Sequence, residues 1–158
     1  MTKTPNTSAS VILLRPALAE DLDDIMKIEY ACFQADAFSR YQMAYLITHS
    51  KGIFLVAHHS DEIAGYISFI TSNRHNTGRI YSIAVSPAHR GKGIAEMLID
   101  KSIRYTQKNK LRAIFLEVRT DNTVAIQLYK KKGFTEHSVK QNYYNDGAPA
   151  YSMVLRLQ

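Results

Sequence analysis

Between Ser86 and Ala95 the chain reads Ser-Pro-Ala-His-Arg-Gly-Lys-Gly-Ile-Ala, a basic stretch whose two glycines lie between an apolar segment and an amphipathic one. Arg79 to Val85 is short and rich in β-branched residues, and Ser86-Pro87 stops it, so it is predicted as a buried strand. Beyond the glycines, Ile94, Met97, Leu98 and Tyr105 recur at helical spacing, with Glu96, Lys101, Arg104 and Lys108 on the wet side. The stretch therefore opens a helix. The first turn of a helix carries unpaired backbone N–H groups at the positive end of the macrodipole, which suits an anion. Gly91 and Gly93 admit phosphate to the bare backbone, and Arg90 and Lys92 add charge. A tight strand-to-helix turn with no ligand is the alternative reading of the same residues.

Two familiar phosphate patterns fail on spacing. A Walker A loop has Ser or Thr after Gly-Lys and a further glycine upstream; here Gly93 follows Lys92, and Ser86 holds the upstream place. A dinucleotide fingerprint has a small residue where Glu96 stands and an acid about twenty residues on, where the chain reads Lys110-Leu111-Arg112.

Downstream, Leu116-Glu117-Val118-Arg119 is followed by Asn122-Thr123-Val124-Ala125-Ile126-Gln127-Leu128-Tyr129 and then by Gly133-Phe134. Together with Arg90-x-x-Gly93-x-Ala95, this order and spacing resembles the GNAT superfamily of acetyl-coenzyme-A-dependent N-acetyltransferases. The second block is similar to the RimI branch, which acetylates protein N-terminal amines. The likeness runs from about Val11 to Leu157, and residues 79 to 134 carry its specific motifs.

The resemblance implies acetyl-CoA as cosubstrate and no metal. Arg90, Gly91, Lys92, Gly93, Ile94, Ala95 and Glu96 would hold its pyrophosphate. The strand end Ile83-Ala84-Val85 and Asn122 would take the pantetheine arm; by residue type and position Asn122 is also a helix N-cap. An α-amine has a pKa of about 8 and must lose a proton before it attacks a thioester, and a departing thiolate is helped by a proton donor. By resemblance Glu117 is the base, acting directly or through water, and Tyr129 the acid. Desolvation in a cleft is expected to raise the Glu117 pKa. The alternatives are a strand carboxylate paired with Arg119 or a lysine, and a tyrosine packed beside Leu128 and Phe134.

The segment Val139 to Tyr151 resembles the tyrosine-bearing hairpin on the peptide-entry side of RimI and the eukaryotic N-terminal acetyltransferases, which makes Tyr143 and Tyr144 candidate acceptor contacts. The opposite wall is expected from residues 33 to 41, with Phe33, Phe38 and Tyr41 as contacts. This segment lacks the Pro-Trp pair that RimI-type chains carry, and the protein has no tryptophan. The implied acceptor is a protein or peptide N-terminus, ribosomal proteins among the candidates. A small-molecule amine is the alternative, and a non-catalytic acyl-CoA-binding module is the rival of another class.

These groups need a scaffold. Val11 to Arg15 is predicted as a strand, followed by a helix opened by Ala19-Glu20-Asp21 with Leu22, Ile25, Ile28 and Cys32 inward. A second helix is predicted near Ser39 to His49, with Tyr41, Tyr45 and Met43-Ala44 as candidates to face the core. Strands at Ile53 to His58 and Ile63 to Thr71 flank a hairpin turn, and Asn73 to Gly78 is another turn. After the Arg79–Val85 strand and its helix come a strand at Ala113 to Arg119, a helix from Asn122 to Lys132 ended by Gly133, and two strands around Asn145-Asp146-Gly147. The order β-α-α-β-β-β-α-β-α-β-β implies an α/β (mixed α+β) sheet with helices on both faces and a central β-α-β unit that would bind coenzyme A. It also matches the GNAT fold.

At 158 residues the chain suits one core, predicted as a single domain over 11–158 behind a flexible tail at 1–10. With 46% hydrophobic and 22% charged residues it is globular rather than disordered material. No apolar run approaches the roughly 20 residues that span a bilayer. No membrane association is therefore expected, and a lone Cys32, which allows no internal disulfide, suits a cytoplasmic location. Residues 1–76 carry a net −2 and residues 77–158 a net +8, which would draw an anionic cosubstrate to the basic half. Lys130-Lys131-Lys132 is expected to serve a helix C-terminus, and without basic-aromatic interleaving no direct nucleic-acid binding is expected. The six histidines have no zinc-like spacing, and His89 is expected to face solvent.

Overall fold

The computed structural model describes residues 11–157; the predicted tail, Met1 to Ser10, lies outside the described residues. Seven strands and four helices follow the predicted order: β1 (Ile12–Pro16), α1 (Leu22–Phe33), α2 (Arg40–Thr48), β2 (Gly52–His59), β3 (Glu62–Ser72), β4 (Thr77–Val85), α3 (Ile94–Lys108), β5 (Ala113–Arg119), α4 (Thr123–Lys131), β6 (Thr135–Lys140) and β7 (Ala150–Arg156). They form one mixed sheet in the order β1-β2-β3-β4-β5-β7-β6. All neighbours are antiparallel except β4 and β5, which the α3 crossover makes parallel.

Each face of the sheet buries its own core. On one face Ile25, Met26 and Ile28 of α1 and Met43 and Leu46 of α2 meet Phe54, Val56, Tyr66 and Ala84. On the other, Ile94, Leu98 and Ile99 of α3 and Ile126 and Tyr129 of α4 meet Leu55, Ile67, Phe69, Ile114, Leu116 and Met153. The alternation of strand side chains divides the two sets. In α2 Met43 turns inward as expected, but its buried companion is Leu46 rather than the tyrosines: Tyr41 is 80% exposed and Tyr45 is also exposed. Ser39 sets that phase, because its hydroxyl caps the Gln42 amide at 3.1 Å while the Gln42 side chain accepts from the Ser39 amide at 2.8 Å. The β6–β7 connection is a wide loop rather than a tight Asp-Gly turn, with the amides of Tyr143 and Tyr144 both donating to the Ala148 carbonyl.

Candidate active site

The sheet opens where β4 and β5 meet. These strands share only the pairs Gly78 with Ile114 and Arg79 with Phe115, and beyond them they diverge. On its other side β4 slips register against β3, since Ser68 faces Ser82 but Phe69 faces Ile80, which leaves Tyr81 as an unpaired bulge residue. A cleft therefore lies between the second half of β4, including Ile83, Ala84 and Val85, and the end of β5 that carries Glu117.

At one end of the cleft is the glycine loop. Gly91 and Gly93 have φ of +80° and +77°, the left-handed region that glycine enters without strain, and a Cβ at either position would meet nothing within 4 Å. Gly93 occupies the N-cap of α3 and no side chain caps the helix. The amides of Ile94, Ala95 and Glu96 thus have no intrahelical acceptor, and they directly follow the open glycine loop that carries Arg90 and Lys92. An open, uncapped and basic helix start fits a pyrophosphate. Glu96 offers only its amide, because its carboxylate is bound by Lys132 at 2.7 Å and Lys131 at 3.3 Å, whose hydrogen bonds lower its pKa. Lys132 also meets Asp100 at 2.8 Å, so part of the lysine triplet ties α4 to α3.

His89 is buried, contrary to the expectation of a solvent-facing ring. Its Nε2 lies 2.8 Å from Glu62 and its Nδ1 3.0 Å from Lys92 Nζ, so it fixes the loop to the β2–β3 hairpin. Cys32 is partly buried as predicted for a small packing residue; its thiol donates to the Val85 carbonyl at 3.4 Å, and Arg90 reaches its Sγ at 3.5 Å.

At the other end Glu117 lies on the β5 face that also carries Phe115 and Arg119, with its side chain 10% exposed. Arg79 donates to Oε1, and Lys140 Nζ lies 3.0 Å from Oε2. Burial pushes the carboxyl up, but hydrogen bonds from Arg79 and Lys140 outweigh it and hold the pKa below the usual value. The expected upward shift is therefore reversed. The cations that cause this come from β4 and β6, not from Arg119.

Tyr129 comes from α4 on the opposite face of the sheet. Its ring is buried and meets Phe134 edge-on at 5.8 Å, and its hydroxyl makes no hydrogen bond to another described residue. Burial, then the nearby Tyr144, push its pKa far up, so it keeps its proton at neutral pH. Tyr144 is itself pushed up to about 12 by burial and by Tyr143, and it is close enough to feel Glu117 as well. It links the two faces of the cleft. Asn122 caps α4 through Oδ1, 3.2 Å from the Ala125 amide, and its NH₂ has no partner among the described residues.

Two loops form the rim, one between α1 and α2 and one between β6 and β7. Phe38 stacks on the bulged Tyr81 with ring centroids 4.8 Å apart, and Tyr143 meets Tyr144 edge-on at 5.0 Å. Phe33, the last residue of α1, is partly buried against the core on that face of the sheet. Tyr41 joins none of these contacts. Arg119 holds the rim together, reaching Asp146 at 2.8 Å, Asp121 at 3.2 Å and Asp36 at 3.6 Å, with its guanidinium 5.0 Å over the Tyr144 ring. Asn145 completes the tie through its amide to Asp36 at 3.0 Å and its side chain to the Ala35 carbonyl at 2.6 Å.

The sequence reading missed Glu29. This acid of α1 is 1% exposed and accepts from the Phe38 amide at 2.9 Å, from Ser82 at 3.4 Å and from the Tyr66 hydroxyl. A signal was present: Glu29 lies four residues after Ile25, on the inward stripe of the helix.

A parallel strand pair held open, with an uncapped basic helix start at one end and a carboxylate and a phenol at the other, is an arrangement suited to an acyltransferase of the coenzyme-A type. Known proteins agree. The Acetyltransferase (GNAT) family profile matches residues 20–134. An N-alpha-acetyltransferase of Sulfurisphaera tokodaii is 33% identical over 158 residues, covering 91% of this chain and 92% of that protein. A ribosomal protein bS18-alanine N-acetyltransferase of Haemophilus ducreyi is 28% identical over 134 residues, covering 76% of this chain and 90% of its own. Among solved structures, Ard1 from Thermoplasma volcanium superposes with a TM-score of 0.86 at 26% identity, over 93% of this chain and 98% of that one. The chain belongs to the GNAT acetyltransferase family, and it is an N-acetyltransferase.

Proposed function

We propose that this enzyme acetylates the N-terminal α-amine of a protein or peptide, and that residues 11–158 act as one catalytic domain in the cytoplasm. No helix among the described residues is long and apolar enough to cross a membrane. The observation that carries the acceptor assignment is the rim: one loop brings Phe38 stacked on Tyr81, the other the Tyr143–Tyr144 pair, and Arg119 on the Glu117 strand ties the two loops together through Asp36 and Asp146. A walled, aromatic mouth suits the end of an extended chain. Names of relatives that act on protein N-termini support the same reading.

Acetyl-CoA supplies the acetyl group as a thioester. The amides of Ile94, Ala95 and Glu96, with Arg90 and Lys92, hold its pyrophosphate, and the free NH₂ of Asn122 and the edge of β4 from Ile83 to Val85 take the arm. Glu117 is ionised at neutral pH and receives the ammonium proton, directly or through water. Held low by Arg79 and Lys140, it is a weak base and passes the proton on. Tyr129 keeps its proton for the departing sulfur, and its unpartnered hydroxyl is free to donate.

The test is thiol release from acetyl-CoA with a panel of short peptides and small amines. Turnover with peptides that disappears when the α-amine is blocked supports the reading; turnover with small amines only refutes it. Glu117→Gln is expected to lower kcat near neutral pH by about 10²–10⁴-fold with unchanged acetyl-CoA affinity. Full activity of that variant would remove Glu117 from the proton path.

A further inference from the structure

An open groove of about 280 Å³ runs from the mouth of the cleft along the sheet, lined by Thr71, Ser72, His75, Arg79, Tyr81 and Phe115 among others. It is continuous with the site, since Arg79 bonds Glu117 and Tyr81 stacks on Phe38. We infer that this groove receives an acidic side chain at the second or third residue of the acceptor polypeptide, an inference that rests on the N-terminal acetylation reading above.

Charge and free donors carry the argument. Arg79 uses one guanidinium nitrogen on Glu117; among the described residues it has no other hydrogen-bond partner, and its side chain is 41% exposed. The remaining N–H groups of its fork match a carboxylate. Lys140 adds a second cation beside Glu117, so the two together exceed the charge of the acid they hold. At the far end Arg112 donates to the His75 carbonyl at 2.9 Å, which brings a further guanidinium to the same turn, and Arg74 precedes His75 in the chain. Between Glu62 and Glu96 there is no acidic residue, so β3 beyond its first residue, β4 and their turn place no carboxylate against these cations, and Glu62 itself is held by His89. The groove lining adds the hydroxyls of Thr71, Ser72 and Thr77, further partners for an anion, and the apolar face of Phe115 under the guanidinium at 6.0 Å. Arg79 contacts the proposed base itself, and in an extended chain successive residues advance about 3.3 Å. The side chain that meets the guanidinium therefore follows closely on the acetylated residue.

Three peptides that share a first residue and carry Asp, Ser or Lys at both following positions test this, through kcat/KM for the wild-type enzyme and for Thr71→Glu and Thr71→Gln. The wild type is expected to favour the Asp peptide over the Lys peptide by about tenfold, a ratio that shrinks at raised ionic strength. Thr71→Glu is expected to abolish or invert the ratio, and Thr71→Gln to keep it. Because the ratio is taken within one enzyme, a general loss of activity in a variant does not move it. Equal kcat/KM for all three wild-type reactions, or an acid preference that survives Thr71→Glu, overturns the groove assignment while N-terminal acetylation stands. No acetylation of any α-amine overturns both.

Discussion

Glu29 is expected to hold the acceptor wall in place although it touches no substrate. Its Oε2 accepts from the Phe38 amide and its Oε1 from Tyr66 and Ser82, so one buried carboxylate joins the α1–α2 loop to β3 and β4 directly behind the Tyr81 bulge. Glu29→Ala leaves the Phe38 amide without its acceptor and empties the volume of the carboxylate. An unmet buried donor and a cavity of that size together destabilise by about 3–5 kcal/mol. Glu29→Gln retains an acceptor for Phe38, and the Tyr66 and Ser82 hydroxyls, 2.7 Å apart, can reorient to accept from its NH₂, so its cost is about 1 kcal/mol. Urea unfolding measures both. In parallel, Glu29→Ala is expected to raise the acceptor KM while leaving the acetyl-CoA KM unchanged, because Phe38 belongs to the rim and the glycine loop does not depend on it. A stability loss below about 1 kcal/mol for the alanine variant, or both KM values rising together, would refute this reasoning.

The pH dependence supplies an independent check. Burial raises the Glu29 pKa, and the bonds from Tyr66, Phe38 and Ser82 recover only part of the shift. The native state therefore keeps a proton that the unfolded chain has lost. Stability falls as pH rises from about 4.3 through the native pKa and then levels off. Glu117 has the opposite sign, since its lowered pKa contributes stability that is present above the unfolded value and lost as pH falls through the native one. Comparing wild type with Glu29→Gln at each pH cancels the Glu117 contribution. The wild-type advantage is expected to shrink as pH rises through this window; an advantage that grew would mean the Glu29 carboxylate is better solvated or paired than its contacts show.

Further outcomes follow from the same geometry. Tyr129→Phe removes a hydroxyl that has no partner among the described residues, so urea unfolding should show stability within about 1 kcal/mol of wild type, whereas kcat should fall about 10²–10⁴-fold if the hydroxyl protonates the leaving sulfur. Unchanged kcat would leave Tyr129 as a packing residue only. Arg119→Met releases Asp36 and Asp146 together; steady-state kinetics should show the acceptor KM rising several-fold with the acetyl-CoA KM unchanged.

The order of elements was legible because local signals decide it. Ser86-Pro87 ends β4, Gly93 starts α3, Asn122 caps α4, and the apolar residues of α3 and α4 recur at helical spacing. Each of these signals acts within a few residues of the structure it determines. The contacts that tune the site act over far greater separations. Glu117 is 38 residues from Arg79 and 23 from Lys140, so whether it would be desolvated alone or desolvated and paired depended on strand pairing that no local pattern contains. His89 went the same way, because its partner Glu62 is 27 residues distant. Tyr41 failed for a different reason: a tyrosine reads as apolar in a periodicity count, yet its phenol is at home in water, and Met43 and Leu46 took the inward positions of a helix with room for few.

The same distinction separates the part of the site that local motifs specify from the part assembled across the sheet. The glycine loop and the Glu117–Tyr129 block are contiguous motifs, since a helix start and a strand-turn-helix can only be specified locally. The rim and the groove are assembled across the sheet, from Phe38 ahead of α2, Arg79 and Tyr81 of β4, Arg112 and Arg119 at the two ends of β5, and Lys140 and Tyr144 at and beyond the end of β6. None of them lies in the glycine loop, and only Arg119 lies in the Glu117–Tyr129 block. A chain built this way keeps its chemistry fixed while its choice of amine varies, and it is at Arg79, where the proposed base meets the groove, that the two are joined.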